Sequence, residues 1–420
     1  MVMTELAPPS QAAPTSVSSR ATSAHIAALK APASAKAVLF ALLNLSGGAV
    51  RIVTPDGHEM LFGDDSGAPV ELRVKHWRFA NRVLFNGDIG FAEGLMADEW
   101  ESDDIPALLT LLANNVERFK RLLEGGFVGK SLNWFRHLRR ENTKAGSRKN
   151  ILAHYDLGND FYEKWLDRSM TYSSAKYDAK VRDLESAQLE KYRALARHLE
   201  LKPGDTVLEI GCGWGGFAEV AAKEFGARVT GLTISDQQLI YARDRMRRLG
   251  LSDLVEIRRQ DYRDVDGTFD KVASIEMFEA VGEKYWNAYF SKIADVLKPG
   301  GKAALQIITI KDDLFESYRK RADFIQRYVF PGGMLVSIER LRQETSKAGL
   351  IWKQAEHFGL SYADTLHEWA DRFRAKWEDI RAMGFDNRFK ALWLFYLGYC
   401  EAGFRTGRTN VVQLELAKPA

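Results

Sequence analysis

Val207-Leu208-Glu209-Ile210-Gly211-Cys212-Gly213-Trp214-Gly215-Gly216 is an apolar run that ends in an acid and passes into glycines. Phe217 to Glu224 then has the character of a helix. The order is strand, tight loop, helix N-terminus. Glycines at such a loop let the backbone approach a ligand closely, and the acid can bind a polar end of it. A glycine loop alone is weak evidence, because dinucleotide-binding folds carry one too.

Working outward, short strands and helices alternate from Ile151 onward, which predicts an α/β doubly wound sheet. Thr206 to Ile210 is its first strand and Arg228 to Leu232 its second, followed by a helix over Asp236 to Leu249. Val255 to Arg259, Lys271 to Ile275 and Lys302 to Ile310 supply three more strands, the last entered through Lys298-Pro299-Gly300-Gly301. Ligands of such sheets bind beyond the carboxyl ends of the strands. That places Gly211–Gly216, Thr233–Gln238 and Gln260-Asp261-Tyr262 around one site. Lys311 to Val336 interrupts the alternation with charged and aromatic residues and reads as a lid over a long substrate. A helix over Ser337 to Ala348 follows. Tyr362, Leu366, Trp369, Phe373, Trp377 and Ile380 recur at helical spacing, a stripe that suits a core face. Phe389 to Phe404 is a second apolar helix.

Before residue 151 three segments differ in character. Residues 1–33 are rich in Ala, Ser, Thr and Pro and read as a disordered tail. Residues 34–117 read as a small mixed α+β domain, with a hairpin over Ala49–Thr54 and Glu59–Phe62 and a helix over Asp104–Leu112. Its His58 and His76 read as surface or packing residues. Residues 118–150 carry Lys120, Arg121, Lys130, Arg136, Arg139, Arg140, Lys144, Arg148 and Lys149 against Glu124 and Glu141, interleaved with Phe127, Trp134 and Phe135. That mixture suits either an anionic membrane surface or a solvated linker.

The chain of 420 residues has a net charge of only +3, which gives no electrostatic case for nucleic acid. Its two cysteines, Cys212 and Cys400, offer no disulfide framework and suit a reducing compartment. No apolar run reaches the roughly 20 residues of a spanning helix, and no signal peptide is evident. The expected location is cytoplasmic.

The spacing Glu-x-Gly-x-Gly-x-Gly-Gly resembles the first motif of class I S-adenosylmethionine (SAM)-dependent methyltransferases. Further segments occur with it in one order: His154-Tyr155-Asp156-Leu157-Gly158-Asn159-Asp160-Phe161, Met170-Thr171-Tyr172-Ser173-Ser174, Gln260-Asp261-Tyr262-Arg263-Asp264 and Met277-Phe278-Glu279. Together they resemble the cyclopropane-fatty-acyl-phospholipid synthases and their mycolic-acid relatives, from about Ser34 to the C-terminus. The resemblance implies a SAM-dependent methyltransferase domain over 151–420 with a lipid-binding lid. It also implies carbon transfer to the cis double bond of an unsaturated phospholipid acyl chain, a peripheral place at the inner face of the membrane, and a homodimer. No metal is implied. Tyr172 and Ser173 are then expected at the methionine portion of SAM, with Glu209, Gly211, Gly213 and Gly215 lining the cofactor. Thr233 and Gln238 fall at the ribose, and Gln260, Asp261 and Tyr262 near adenine.

Members of this family hold a bicarbonate ion, thought to be the base, with Cys, Glu, His, Tyr and backbone. Glu279 and Tyr362 match that set. Ser174 stands at the Cys position, Gln306 at the His position, and Ala280 replaces the His after Met-Phe-Glu. Ser and Gln still donate hydrogen bonds, but neither supplies the charge of a protonated His. The altered cage opens a second outcome, a methyl- or methylene-branched chain without ring closure. Two further readings are a SAM- and lipid-binding protein without catalysis and a methyltransferase of small soluble acceptors. Cys400 matches a cysteine often counted as active in the family, yet it lies in the apolar run Phe395–Cys400, where a small buried residue is the plainer role.

Overall fold

The computed structural model describes residues 20–123 and 157–420. The tail up to residue 19, the basic aromatic segment beyond residue 123 and the His154-Tyr155-Asp156 motif lie outside the described residues.

The large sheet is built from β5 (Thr206–Ile210), β6 (Arg228–Thr233), β7 (Val255–Arg259), β8 (Phe269–Ile275), β9 (Leu297–Ile310), β10 (Ile351–His357) and β11 (Thr409–Ala417). Its order is β10-β11-β9-β8-β5-β6-β7. β5 to β9 pair parallel, whereas β11 enters antiparallel between β9 and β10. This is the seven-stranded mixed sheet of class I methyltransferases. Val207, Leu208 and Ile210 of β5 are buried, as a central parallel strand covered on both faces requires. The five strands read from sequence are present, with small differences at their ends. β10 and β11 were not expected. β10 is an edge strand with a largely polar, exposed sequence, and the apolar run of β11 is broken by Gln413 and Glu415.

The N-terminal region forms its own sheet, β2-β1-β3-β4, from β1 (Ala49–Val53), β2 (Glu59–Gly63), β3 (Val70–Val74) and β4 (Trp100–Glu101). The expected helix is present over Ile105–Asn114, with Asp104 capping Ala107 N and Pro106 in its first turn. One expectation is corrected. Residues 20–33 are not wholly tail, since Ser23–Ala28 is helical, capped by Thr22, and its Ile26 is completely buried. One apolar side chain on a six-residue helix is too short a signal to stand out from an Ala/Ser/Thr background.

The two regions share one core. The Asn387–Arg405 helix packs on Ile105–Asn114, and a Cβ on Gly398 would lie 3.1 Å from Ile105 Cγ2, so the absence of a side chain there eases the close approach. Phe395 meets Phe91 and Trp100 edge-on. The aromatic stripe of residues 362–380 is split between the helices Gly359–Ala375 and Trp377–Ala382, and all six of its side chains are buried. Among the described residues no helix is long and apolar enough to cross a membrane.

Candidate active site

A cavity of about 1340 Å³ opens beyond the carboxyl ends of β5, β6, β8 and β9. The residues expected around the cofactor largely converge on it: Tyr172, Ser173, Glu209, Gly211, Gly213, Thr233, Gln238, Gln260, Asp261 and Tyr262 all line its wall. Gly215 does not. It caps the Gly216–Phe225 helix in the left-handed region and packs toward Met246, so it shapes the loop from behind.

Several of these groups are already tied to one another. Thr233 Oγ1 donates to Gln238 Oε1 at 2.9 Å, and Gln260 Nε2 donates to the Asp264 carbonyl at 2.7 Å. Asp261 accepts from Arg263 Nε and Nη2, so its carboxylate faces a guanidinium. Glu209 is different. It is buried, and its Oε2 has no hydrogen-bond partner among the described residues. Burial pushes its carboxyl up to about 8, opposed by Arg245 and Lys191. Gly211 has φ +80, and a Cβ there would stand 2.7 Å from Met277 Cγ. An unsatisfied acid beside a loop with no room for side chains fits SAM, whose ammonium and hydroxyls supply the donors that Glu209 lacks.

Two predictions arise at this loop. Gly211→Ala is expected to lose about 1–3 kcal/mol of stability in urea unfolding and to weaken SAM binding, because strain and clash act together. SAM is also expected to gain on its sulfide product as pH rises. Glu209 and Glu279 each titrate near 8, and their ionised forms favour the cationic sulfonium over the neutral sulfide. The ratio of the two affinities therefore increases about tenfold up to and through pH ~8, with protons released on SAM binding. Titration calorimetry in two buffers tests this; a flat ratio refutes it.

The second half of the site lies where β8 ends. Glu276 N–H donates to the Gln306 carbonyl, which carries the β8–β9 ladder one residue past Ile275. There Glu276 turns out of the sheet at φ +47, a region that L-residues with a Cβ rarely occupy. Its carboxylate is held on both oxygens. Ser174 N–H and Gln306 Nε2 donate to Oε1 at 2.9 and 2.7 Å, and the Tyr362 hydroxyl donates to Oε2 at 2.6 Å. Ser174, Gln306 and Tyr362 are the positions expected to hold bicarbonate. In this chain they hold a side-chain carboxylate.

Glu279 stands one helical turn further on. Ile308 N–H donates to its Oε1 at 2.5 Å, while its Oε2 has no hydrogen-bond partner among the described residues. Burial, then the charge of Glu276, raises Glu279 to about 8. Two carboxyls in one dry pocket cannot both ionise easily. Burial raises the Glu276 carboxyl too, against Lys191 and its three donors, but with three donors to Glu279's one it is the better placed of the two to hold the charge, which leaves the proton on Glu279.

A buried layer behind these groups fixes their aim. Gln413 of β11, in register with Gln306, donates through Nε2 to Gln306 Oε1 at 3.1 Å and to the Lys191 carbonyl at 3.0 Å. With its oxygen engaged, the Gln306 amide must turn its NH₂ toward Glu276. Lys191, completely buried, donates through Nζ to Ser173 Oγ at 2.6 Å, and Gln188 Nε2 holds the Ser173 carbonyl. Burial pulls the Lys191 amine down to about 7, against the attraction of Glu276, Asp167 and Glu209.

One sequence expectation is corrected. The Ser174 hydroxyl takes no part in the cage; it donates to the Ala175 carbonyl, and only its backbone N–H reaches the site. The cage needs no added anion to satisfy its donors, since Glu276 occupies them. Cys400 lines the cavity, but burial drives its thiol far above the ordinary range, the opposite of an activated nucleophile. Cys212 is buried and likewise pushed up. Sequence reasoning passed over Glu276 and Lys191. The first carried no periodic signal, because it stands outside any helix at the turn that ends β8. The second was legible as a lysine on the buried face of the Leu184–His198 helix, in line with Leu184, Ala187, Gln188 and Leu195.

The chain has well-matched relatives. A family model described as mycolic acid cyclopropane synthetase matches residues 142–414. Tuberculostearic acid methyltransferase UfaA1 of Mycobacterium tuberculosis is 37% identical over 384 residues, 88% of each chain. Cyclopropane-fatty-acyl-phospholipid synthase of Escherichia coli K12 is 35% identical over 363 residues, 84% of this chain and 89% of that one. Among solved structures, mycolic acid cyclopropane synthase CmaA1 complexed with SAH and CTAB superposes with a TM-score of 0.62 at 28% identity, covering 64% of this chain and 98% of that one.

Proposed function

Since the chain belongs to the mycolic acid cyclopropane synthetase family and is a SAM-dependent methyltransferase, we propose that it methylates the double bond of an unsaturated phospholipid acyl chain and ends the reaction with Glu276 as a built-in base. The observation that carries this is the Glu276 carboxylate seated among Ser174 N, Gln306 and Tyr362. SAM, when bound, supplies an electrophilic methyl on a sulfonium. The chain's residues must then keep water out, steady a carbocation on the lipid and accept one proton. Tyr172, Tyr396 and Phe330 line the cavity and present aromatic surface suited to the cation. Glu276 accepts the proton at Oε1 or Oε2, while Glu279, already protonated, does not compete for it.

The product we favour is the branched one, in which the proton leaves the transferred carbon after hydride migration and leaves a methylene branch. A carboxylate tethered to β8 moves less than a free anion, and the relative UfaA1, named for methylation, aligns along nearly the whole chain. Ring closure is the second reading, supported by the E. coli relative's name and by a base at the same place. A purely binding role fits poorly with a fully assembled carboxylate cage. The substrate is taken from a membrane surface, in line with the lipid-acting relatives.

The test is mass spectrometry of acyl chains after incubation with unsaturated vesicles and SAM trideuterated on its methyl. Two retained deuteriums with a vinylidene =CD₂ signal by deuterium NMR support the methylene product, and ring methine protons support closure. Three retained deuteriums with no loss from the methyl overturn the role of Glu276.

A further inference from the structure

We infer that the N-terminal region supplies the wall against which the substrate's hydrocarbon lies, so that residues outside the matched family segment select the acyl chain. This rests on the lipid reading above.

The cavity that begins at Glu209 and Glu276 does not end in the methyltransferase sheet. It continues to Val38, Leu42, Phe79, Leu109, Leu112 and Val116 of the N-terminal region. All of these lie before residue 142, where the family model begins. At about 1340 Å³ the space exceeds the ~300–1,000 Å³ usual for a small-molecule site. Its polarity changes along its length. The cofactor end carries carboxylates, amides and hydroxyls, whereas the N-terminal limb is apolar apart from Asn86 and Asp88. A polar cofactor finds few partners in such a limb, whereas a hydrocarbon chain packs along most of it.

The wall is fixed in place. Tyr328 Oη donates to Glu93 at 2.6 Å, Tyr399 Oη donates to Asp88 at 3.2 Å, and Arg321 pairs with Asp88 at 3.2 Å. Those bonds clamp the lid region and the Asn387–Arg405 helix onto the N-terminal helices. Phe85 lines the cavity and yet is 61% exposed, so the limb reaches solvent beside it. Chain and opening therefore share the N-terminal region, and the depth of that limb limits how much hydrocarbon fits past the double bond.

The experiment uses Ala113→Phe and Val116→Phe, both half-buried positions on the limb, in the full chain with mixed vesicles of palmitoleoyl, oleoyl and eicosenoyl phospholipid. Filling the limb is expected to lower kcat/KM for the longest chain relative to the shortest by about tenfold or more, with SAM affinity unchanged. Displacement of a fluorescent polyene fatty acid reads the limb independently of turnover, and its affinity should fall in both variants. Unchanged chain selectivity and unchanged probe binding, in variants that still bind SAM, overturn the inference. A wild-type protein that binds the probe in this limb but labels no lipid would instead overturn the proposed reaction.

Discussion

Glu276→Gln is expected to slow lipid methylation by about 10²–10⁴-fold, the usual weight of a positioned general base, while SAM binding stays near wild type. The substitution is mild in shape. Both Ser174 N–H and Gln306 Nε2 donate to one oxygen, Oε1, which a glutamine retains. Its new amide NH₂ faces the Tyr362 hydroxyl, which can accept as well as donate. What disappears is the charge and the proton-accepting lone pair. Product formed slowly in this variant should keep three deuteriums, because the carbocation then loses its proton along the chain. Glu276→Gly makes the complementary test. Glycine relieves the φ of +47 but leaves the Ser174, Gln306 and Tyr362 donors unpaired. Added bicarbonate is the anion shaped for those donors and should restore part of the rate to Glu276→Gly but not to Glu276→Gln, whose side chain still fills the place. Wild-type rates in Glu276→Gln would move the base to Glu279 or Tyr362.

That variant also marks the boundary of what the sequence reveals. The sheet was legible because its five parallel strands are short apolar runs broken by glycines and helix caps, and Glu209–Gly216 fixed which strand came first. The cofactor wall was legible for the same reason, since segments at the carboxyl ends of consecutive strands converge whatever their spacing. The cage was legible only as a set of losses, Ser174 and Gln306 in place of stronger ligands. The compensating gain, Glu276, was hidden because its meaning depends on a turn. One residue past the end of β8 the backbone enters the left-handed region, and that rotation carries the side chain to Ser174 and Tyr362, residues 102 and 86 positions away. β11 was hidden for a related reason. Gln413 reads as a break in an apolar run, yet it is the partner that orients Gln306. Polar residues placed for a network look like errors in a pattern until the network is assembled.

Lys191→Met should reveal how far that network sets the chemistry. The amine is enclosed with Glu276, Glu209 and Asp167 around it, the Tyr192 ring 4.3 Å from Nζ, and Ser173 Oγ as its hydrogen-bond acceptor. Methionine matches its length and removes both charge and donor. Two consequences have definite signs. Without the cation the Glu276 carboxyl rises further, so the acid limb of kcat moves to higher pH by about one unit, and the rate near neutrality falls about tenfold. The second consequence concerns stability. The Lys191 pKa is depressed in the fold, so between about 7 and its ordinary value of 10.5 the unfolded chain binds a proton that the native protein does not. Stability contributed through this group therefore rises with pH over that window, and the variant lacks the rise. The variant's acids, shifted up, add a slope of the opposite sign. The difference in unfolding free energy, wild type minus variant, should thus grow by a few kcal/mol between pH ~7 and ~10. Urea titrations across that range, paired with pH profiles of kcat, separate a positioning role from a packing one. A buried lysine that only fills space would show the same pH-dependent stability difference, since that follows from its depressed pKa, but would leave the acid limb of kcat where it was.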